Sequence, residues 1–130
     1  MNRLTQNLDF HAQALMLRSE RQRLIASNIA NADTPGYVAR DFDFARALRD
    51  ATSSTAAPGS SAGAPRPLSG SDLMLRYATA SQDSLDRNTV DMDRERASFA
   101  DNTVKYEATL RFITRGMRTM MDAMKGHNSA

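Results

Sequence analysis

The 130 residues suffice for one modest domain, but with 41% hydrophobic residues, 6% aromatics and no Trp they offer few of the large side chains that a wide core needs, leaving aliphatic residues and eight methionines to pack. The net charge of +2, with 17 basic and 15 acidic residues interspersed, excludes nucleic-acid binding through bulk charge. The lack of cysteine excludes disulfides and thiolate metal sites, and no run reaches the roughly 18 apolar residues of a membrane span.

Residues 1–34 read as an N-terminal helix. Leu4, Leu8, His11, Leu15, Arg18, Gln22, Ile25, Ile29 and Ala32 alternate steps of four and three, the spacing of one helical stripe. Leu4, Leu8, Leu15, Ile25 and Ile29 form its apolar seam, whereas His11, Arg18 and Gln22 make its middle polar and are expected to meet polar partners or lie at the seam's edge. Met1 to Phe10 lacks the basic start, apolar run and small-residue cleavage site of a secretory signal, so export is expected to proceed without one.

The stripe stops at a turn, where Pro35 disfavours helical geometry for Thr34 and Gly36 is free to take a positive backbone angle. Residues 35–50 form a turn and connecting segment. Residues 51–71 are nearly all Ala, Ser, Thr, Pro and Gly, too poor in apolar surface to offset the entropy of ordering, and are expected to form a flexible loop. Residues 72–90 read as a short extended connector, because Leu73, Leu75 and Tyr77 alternate with Met74 and Arg76.

A second helix is expected over 91–125, with Asp91 as its cap and Asp93 and Glu95 near the positive end of its dipole; 126–130 form a tail. Its stripe is Phe99, Thr103, Tyr106, Leu110, Ile113, Met117, Met120 and Met124, apolar except for Thr103. The fold class is therefore mainly α: N- and C-terminal amphipathic helices pairing as a coiled-coil-like layer, with a flexible or short-β middle. Ordering two such long helices costs more backbone entropy than their seams alone recover, so neighbouring chains are expected to complete them.

The acidic cluster Asp86, Asn88, Asp91, Asp93 and Glu95 lacks the glycine and the final glutamate of a calcium loop in either register and reads as helix capping. His11 and His127 lie near opposite ends with no nucleophile or metal-ligand partner in their local sequence, and the Met117, Met120, Met121, Met124 group has the spacing of a helix core. Together these features argue against an enzyme and against a bound cofactor. Lys105, Arg111, Arg115, Arg118 and Lys125 beside the apolar stripe leave open a peripheral membrane or peptide-groove helix, diluted by Glu107 and Asp122.

The run from Leu24 to Tyr37 resembles the signature of the flagellar axial rod and hook family, whose core is Ala-Asn, two variable residues, Thr-Pro-Gly and an aromatic. Leu8-Asp9-Phe10, the stretch from Ala39 to Phe44, and the stretch from Asn88 to Glu95 are similar to the family's proximal-rod members, and the likeness covers residues 4 to 50 and 84 to 124. The resemblance implies a structural subunit of the basal-body rod, exported by the flagellar type III apparatus and built into the periplasm-spanning rod. Its implied partners are other copies of itself, other rod proteins, the adaptor protein FliE and the inner-membrane ring, with no nucleic acid and no small-molecule substrate. Asn28, Ala30, Asn31, Thr34, Pro35, Gly36 and Tyr37 would form the assembly turn, and Phe44 with Leu48 fits a short export motif. Another rod or hook-junction subunit shares the same turn and is the nearest alternative.

Overall fold

The computed structural model describes residues 2–55, 75–77 and 90–128. Helix α1 spans Asn2–Ala30, strand β1 Arg40–Phe42, helix α2 Phe44–Thr55, strand β2 Leu75–Tyr77 and helix α3 Met92–Asn128. No helix among the described residues is long and apolar enough to cross a membrane.

Local chemistry sets the helix starts. Asp91 Oδ1 accepts hydrogen bonds from the backbone N–H groups of Asp93 and Arg94 at 3.1 and 3.2 Å, which satisfies donors that the first turn of α3 leaves free. Asp43 does the same for α2, accepting from the Arg46 N–H at 3.3 Å. Helix α2 continues through Ala51 to Thr55, into the stretch expected to be loop from residue 51. The hydroxyls of Thr52 and Ser53 donate to the carbonyls of Leu48 and Asp50 near its end, while Ala47 and Leu48 pack on the core. Packing thus anchors the first turns of α2, from which the helix propagates into the next residues. The rest of the expected loop, residues 56–71, lies outside the described residues. Of the expected connector over 72–90, Leu75–Tyr77 pairs antiparallel with β1, Arg40 opposite Tyr77 and Phe42 opposite Leu75.

Helices α1 and α3 run antiparallel. Leu8 lies at Gly116, His11 at Phe112, Arg18 at Thr109, Gln22 at Thr103 and Asn28 at Glu95, so positions descend on one helix as they rise on the other. Extending this register places Asn2, the first described residue of α1, opposite Asp122. One flank of the pair is closed by β1 and α2, where Leu17, Leu24 and Phe42 form a buried cluster joined by Phe44, Ala47 and Leu48.

Of the polar middle of the α1 stripe, Arg18 and Gln22 are matched by polar residues of α3, whereas His11 stacks on Phe112. Arg18 Nε donates to Thr109 Oγ1 at 3.2 Å, and its guanidinium lies 4.2 Å from the Phe44 ring centre, so one side chain ties all three helices. Gln22 donates to Thr103 Oγ1 at 3.0 Å, and Asn102 Nδ2 donates to Gln22 Oε1 at 2.7 Å and to the Arg18 carbonyl at 2.9 Å. Burial, reinforced by neighbouring Arg21, disfavours the Arg18 charge, and Asp101 partly compensates.

The line of α3 that faces α1 is therefore Glu95, Asn102, Thr109 and Gly116, polar or small residues seven apart. A Cβ on Gly116 would lie 3.0 Å from Leu8 Cδ2, so the Leu8 side chain packs directly over the glycine and would have to shift by a few tenths of an ångström for a larger residue. The apolar stripe read from the sequence is rotated to one side of this line. Its near edge, Tyr106, Ile113 and Met120, is half-buried; its far edge, Phe99, Leu110, Met117 and Met124, is exposed. That stripe is not the main intramolecular seam: apart from Thr103, which accepts from Gln22, it offers no hydrogen-bonding partner, and Arg18 and Gln22 turn to Thr109 and Asn102 outside it.

Candidate assembly turn and helix surface

The turn is built from backbone constraints outward. Thr34, Pro35, Gly36 and Tyr37 form a β-turn in which the Tyr37 N–H donates to the Thr34 carbonyl at 3.2 Å and Gly36 has φ of 73°. Proline at the second position and a positive-φ glycine at the third are what a type II turn requires. Asn31 anchors the entry: its Nδ2 donates to the Ser27 carbonyl at 2.8 Å, its Oδ1 accepts from Thr34 Oγ1 at 3.2 Å, and its carbonyl accepts from the Thr34 N–H at 3.0 Å. Ala30 closes α1 and is exposed, as are Thr34, Pro35 and Gly36.

Asn28 clamps this turn to both long helices. Its Nδ2 donates to the Arg40 carbonyl at 2.9 Å and to Glu95 Oε2 at 3.3 Å; its Oδ1 accepts from the Arg40 N–H at 3.0 Å and from the Tyr37 hydroxyl at 3.2 Å. All four hydrogen-bonding positions of the amide are thus used, at a residue only 2% exposed. The Tyr37 hydroxyl, having donated to Asn28, accepts from Ser27 Oγ at 3.3 Å. Burial pushes the Glu95 carboxyl up from the ordinary range; the Asn28 bond opposes that shift, and Asp41 and Asp91 add to it.

Nothing lies within 4 Å of a Cβ placed on Gly36, so a side chain there meets a conformational penalty and no clash. Gly36→Val is expected to lower stability by about 1 to 3 kcal/mol, and Gly36→Asn by much less, since asparagine tolerates this backbone region. Urea unfolding of the two variants measures the difference, and equal losses would remove the positive angle as the cause.

The other sequence-selected residues separate into groups. Ile25 is buried, and Leu4, Leu8, Leu15 and Ile29 are half-buried along the side of α1 nearest α3. Phe44 and Leu48 pack against the core beneath α2, which gives them a structural task whatever their part in export. His11 is half-buried, its ring stacked on Phe112 at 5.5 Å. Reading only the apolar stripes missed Asn102, Thr109 and Gly116; their seven-residue spacing from Glu95 was the available signal. It also missed Leu17 and Leu24, which repeat at seven from Phe10.

The profile of the family described as flagella basal body rod protein matches residues 8–37, from the side of α1 facing Gly116 to the tyrosine that reaches back to Asn28. The flagellar basal body rod protein FlgB of Salmonella typhimurium strain LT2 is 43% identical over 98% of this chain and 99% of its own length, and that of Escherichia coli K12 is equally similar over the same shares. The chain belongs to the FlgB family of flagellar basal-body rod proteins. The FlgB protein of Cereibacter sphaeroides, 43% identical over 92% of this chain, extends the likeness to a further organism. Membership of the FlgB family thus rests on nearly the whole chain, α3 included, and not on the turn signature alone.

Proposed function

We propose that the chain is a structural subunit of the proximal rod, assembling through its terminal helices and connecting the inner-membrane ring to the distal rod. On this reading it leaves the cytoplasm through the flagellar type III export apparatus and sits beside the adaptor protein FliE and other rod proteins. Torque passes through packed helices, so the role is mechanical and involves no catalytic step. The observation that carries the reading is the far edge of the α3 stripe: Phe99, Leu110, Met117 and Met124 stand exposed on a helix whose polar line is already used within the chain. Alignment of FlgB relatives over nearly the whole chain supports the location.

The test separates folding from assembly. Leu110 and Met117 are 45% and 52% exposed, so the double variant Leu110→Asp, Met117→Asp is expected to keep the helical circular dichroism and urea midpoint of the parent within about 0.5 kcal/mol. Two carboxylates desolvated in a helix interface cost several kcal/mol, so recovery of the variant in purified basal bodies is expected to fall below detection. Normal incorporation would exclude this surface from assembly.

A further inference from the structure

The hairpin carries two apolar patches, one on each flank of the line along which α1 and α3 meet. On one flank Phe10 and Phe112 are 43% and 54% exposed, with the His11 ring set between them at 5.5 Å from each. Phe10 belongs to the same row of α1 as Leu17 and Leu24; those two are covered by Phe42, Phe44, Ala47 and Leu48, whereas no described element covers Phe10. On the other flank Leu110 and Met117 are exposed, and one turn beyond Leu110 toward the start of α3 lies a groove of about 390 Å³ lined by Ser19, Gln22, Arg23, Ala26, Thr103 and Tyr106. Ser19 and Ala26 are small, which lets another side chain sink between the helices.

At about 100° per residue, Phe112 falls roughly 120° to 160° around α3 from Tyr106, Leu110 and Met117, with Asn102, Thr109 and Gly116 between them. The patches therefore face apart. Along the helix axis they stand level, because Phe112 lies between Leu110 and Met117 in the chain.

We propose that these patches are the two halves of one lateral contact: the Phe10 and Phe112 flank of one copy seats against the Leu110 and Met117 flank of the next. The inference rests on the rod-subunit reading and names the surface by which neighbouring copies meet. A single sideways displacement brings aromatic edges to a thioether and an aliphatic chain, a favourable pairing in kind. The contact is heterologous, so it repeats around a tube and does not close as a two-fold dimer. A membrane surface cannot occupy both patches of one molecule, since they face opposite ways. Residues 56–74 and 78–89 of the same chain contain only Leu68, Leu73, Met74 and Leu85 as large apolar residues, too few to fill both.

The full-length chain carrying benzoylphenylalanine in place of Phe112 is expressed as the sole copy in flagellated cells, and purified basal bodies are irradiated. The expected product is a dimer of the chain whose link, mapped by mass spectrometry, joins position 112 of one copy to the segment from Leu110 to Met117 of another. Photo-methionine at Met117, which leaves the side-chain shape nearly unchanged, gives the reciprocal link to Phe10 or Phe112 and decides the matter if the first probe blocks incorporation. Phe10→Ser is expected to cut the yield of either link by about tenfold. Links confined within one chain, or ending only on other proteins, would overturn the lateral contact and leave the rod reading standing. Absence of the unmodified chain from basal bodies would overturn both.

Discussion

Replacing Asn28 with leucine is expected to destabilise the chain by about 3 kcal/mol or more, because a side chain of similar size arrives with none of the four hydrogen bonds. The Arg40 N–H and carbonyl, the Tyr37 hydroxyl and Glu95 all lose the amide that joins them. Strand β1 leaves the turn directly from Arg40, so the pairing of β1 with β2 is expected to loosen as well. Urea unfolding gives the magnitude, and amide exchange at Arg40 to Phe42 gives the location. A loss below about 1 kcal/mol would mean that solvent or neighbouring groups replace the amide, and the clamp would have no energetic role.

Asn28→Asp isolates the donor half of that clamp. The acceptor bonds from Arg40 and Tyr37 survive, but a second carboxylate now faces Glu95, whose carboxyl burial already pushes up. The added charge pushes the Glu95 carboxyl further above its unfolded value, so the folded state binds more protons and its deficit grows as pH rises through the carboxylate range. The variant is expected to lie closest to the parent at low pH and furthest at neutral pH. A deficit independent of pH would show that lost geometry, and not charge, is the cause.

Leu17→Ala is the second large effect. Leu17 has no exposed surface and sits between α1, β1 and α2, so truncation leaves a cavity in the only buried apolar cluster among the described residues. The expected cost is about 2 to 5 kcal/mol, against a total of about 5 to 15 kcal/mol for a typical domain. Leu110→Ala, at a leucine 45% exposed, is expected to stay within about 0.5 kcal/mol in the same urea experiment. Equal losses at the two positions would mean that the isolated chain already buries the α3 stripe, and the case for an open assembly face would fail.

The sequence by itself determined the parts set by neighbours along the chain. The two long helices follow from apolar spacing, the start of α3 from the carboxylate of Asp91, and the turn from Pro35 followed by Gly36. Each is a contest between local backbone states, and a few adjacent residues settle it. The face that α3 turns toward α1 was decided only in three dimensions. Periodicity reports that Phe99, Leu110 and Met117 share a stripe, but not whether the same chain or another seals it. Arg18 and Gln22 settled that choice by requiring Asn102, Thr103 and Thr109 as partners, and Leu8 packs over Gly116 on the same line. The seat of α2 had the same origin, since Phe44, Ala47 and Leu48 find Leu17 and Leu24 only after the chain has turned back on itself.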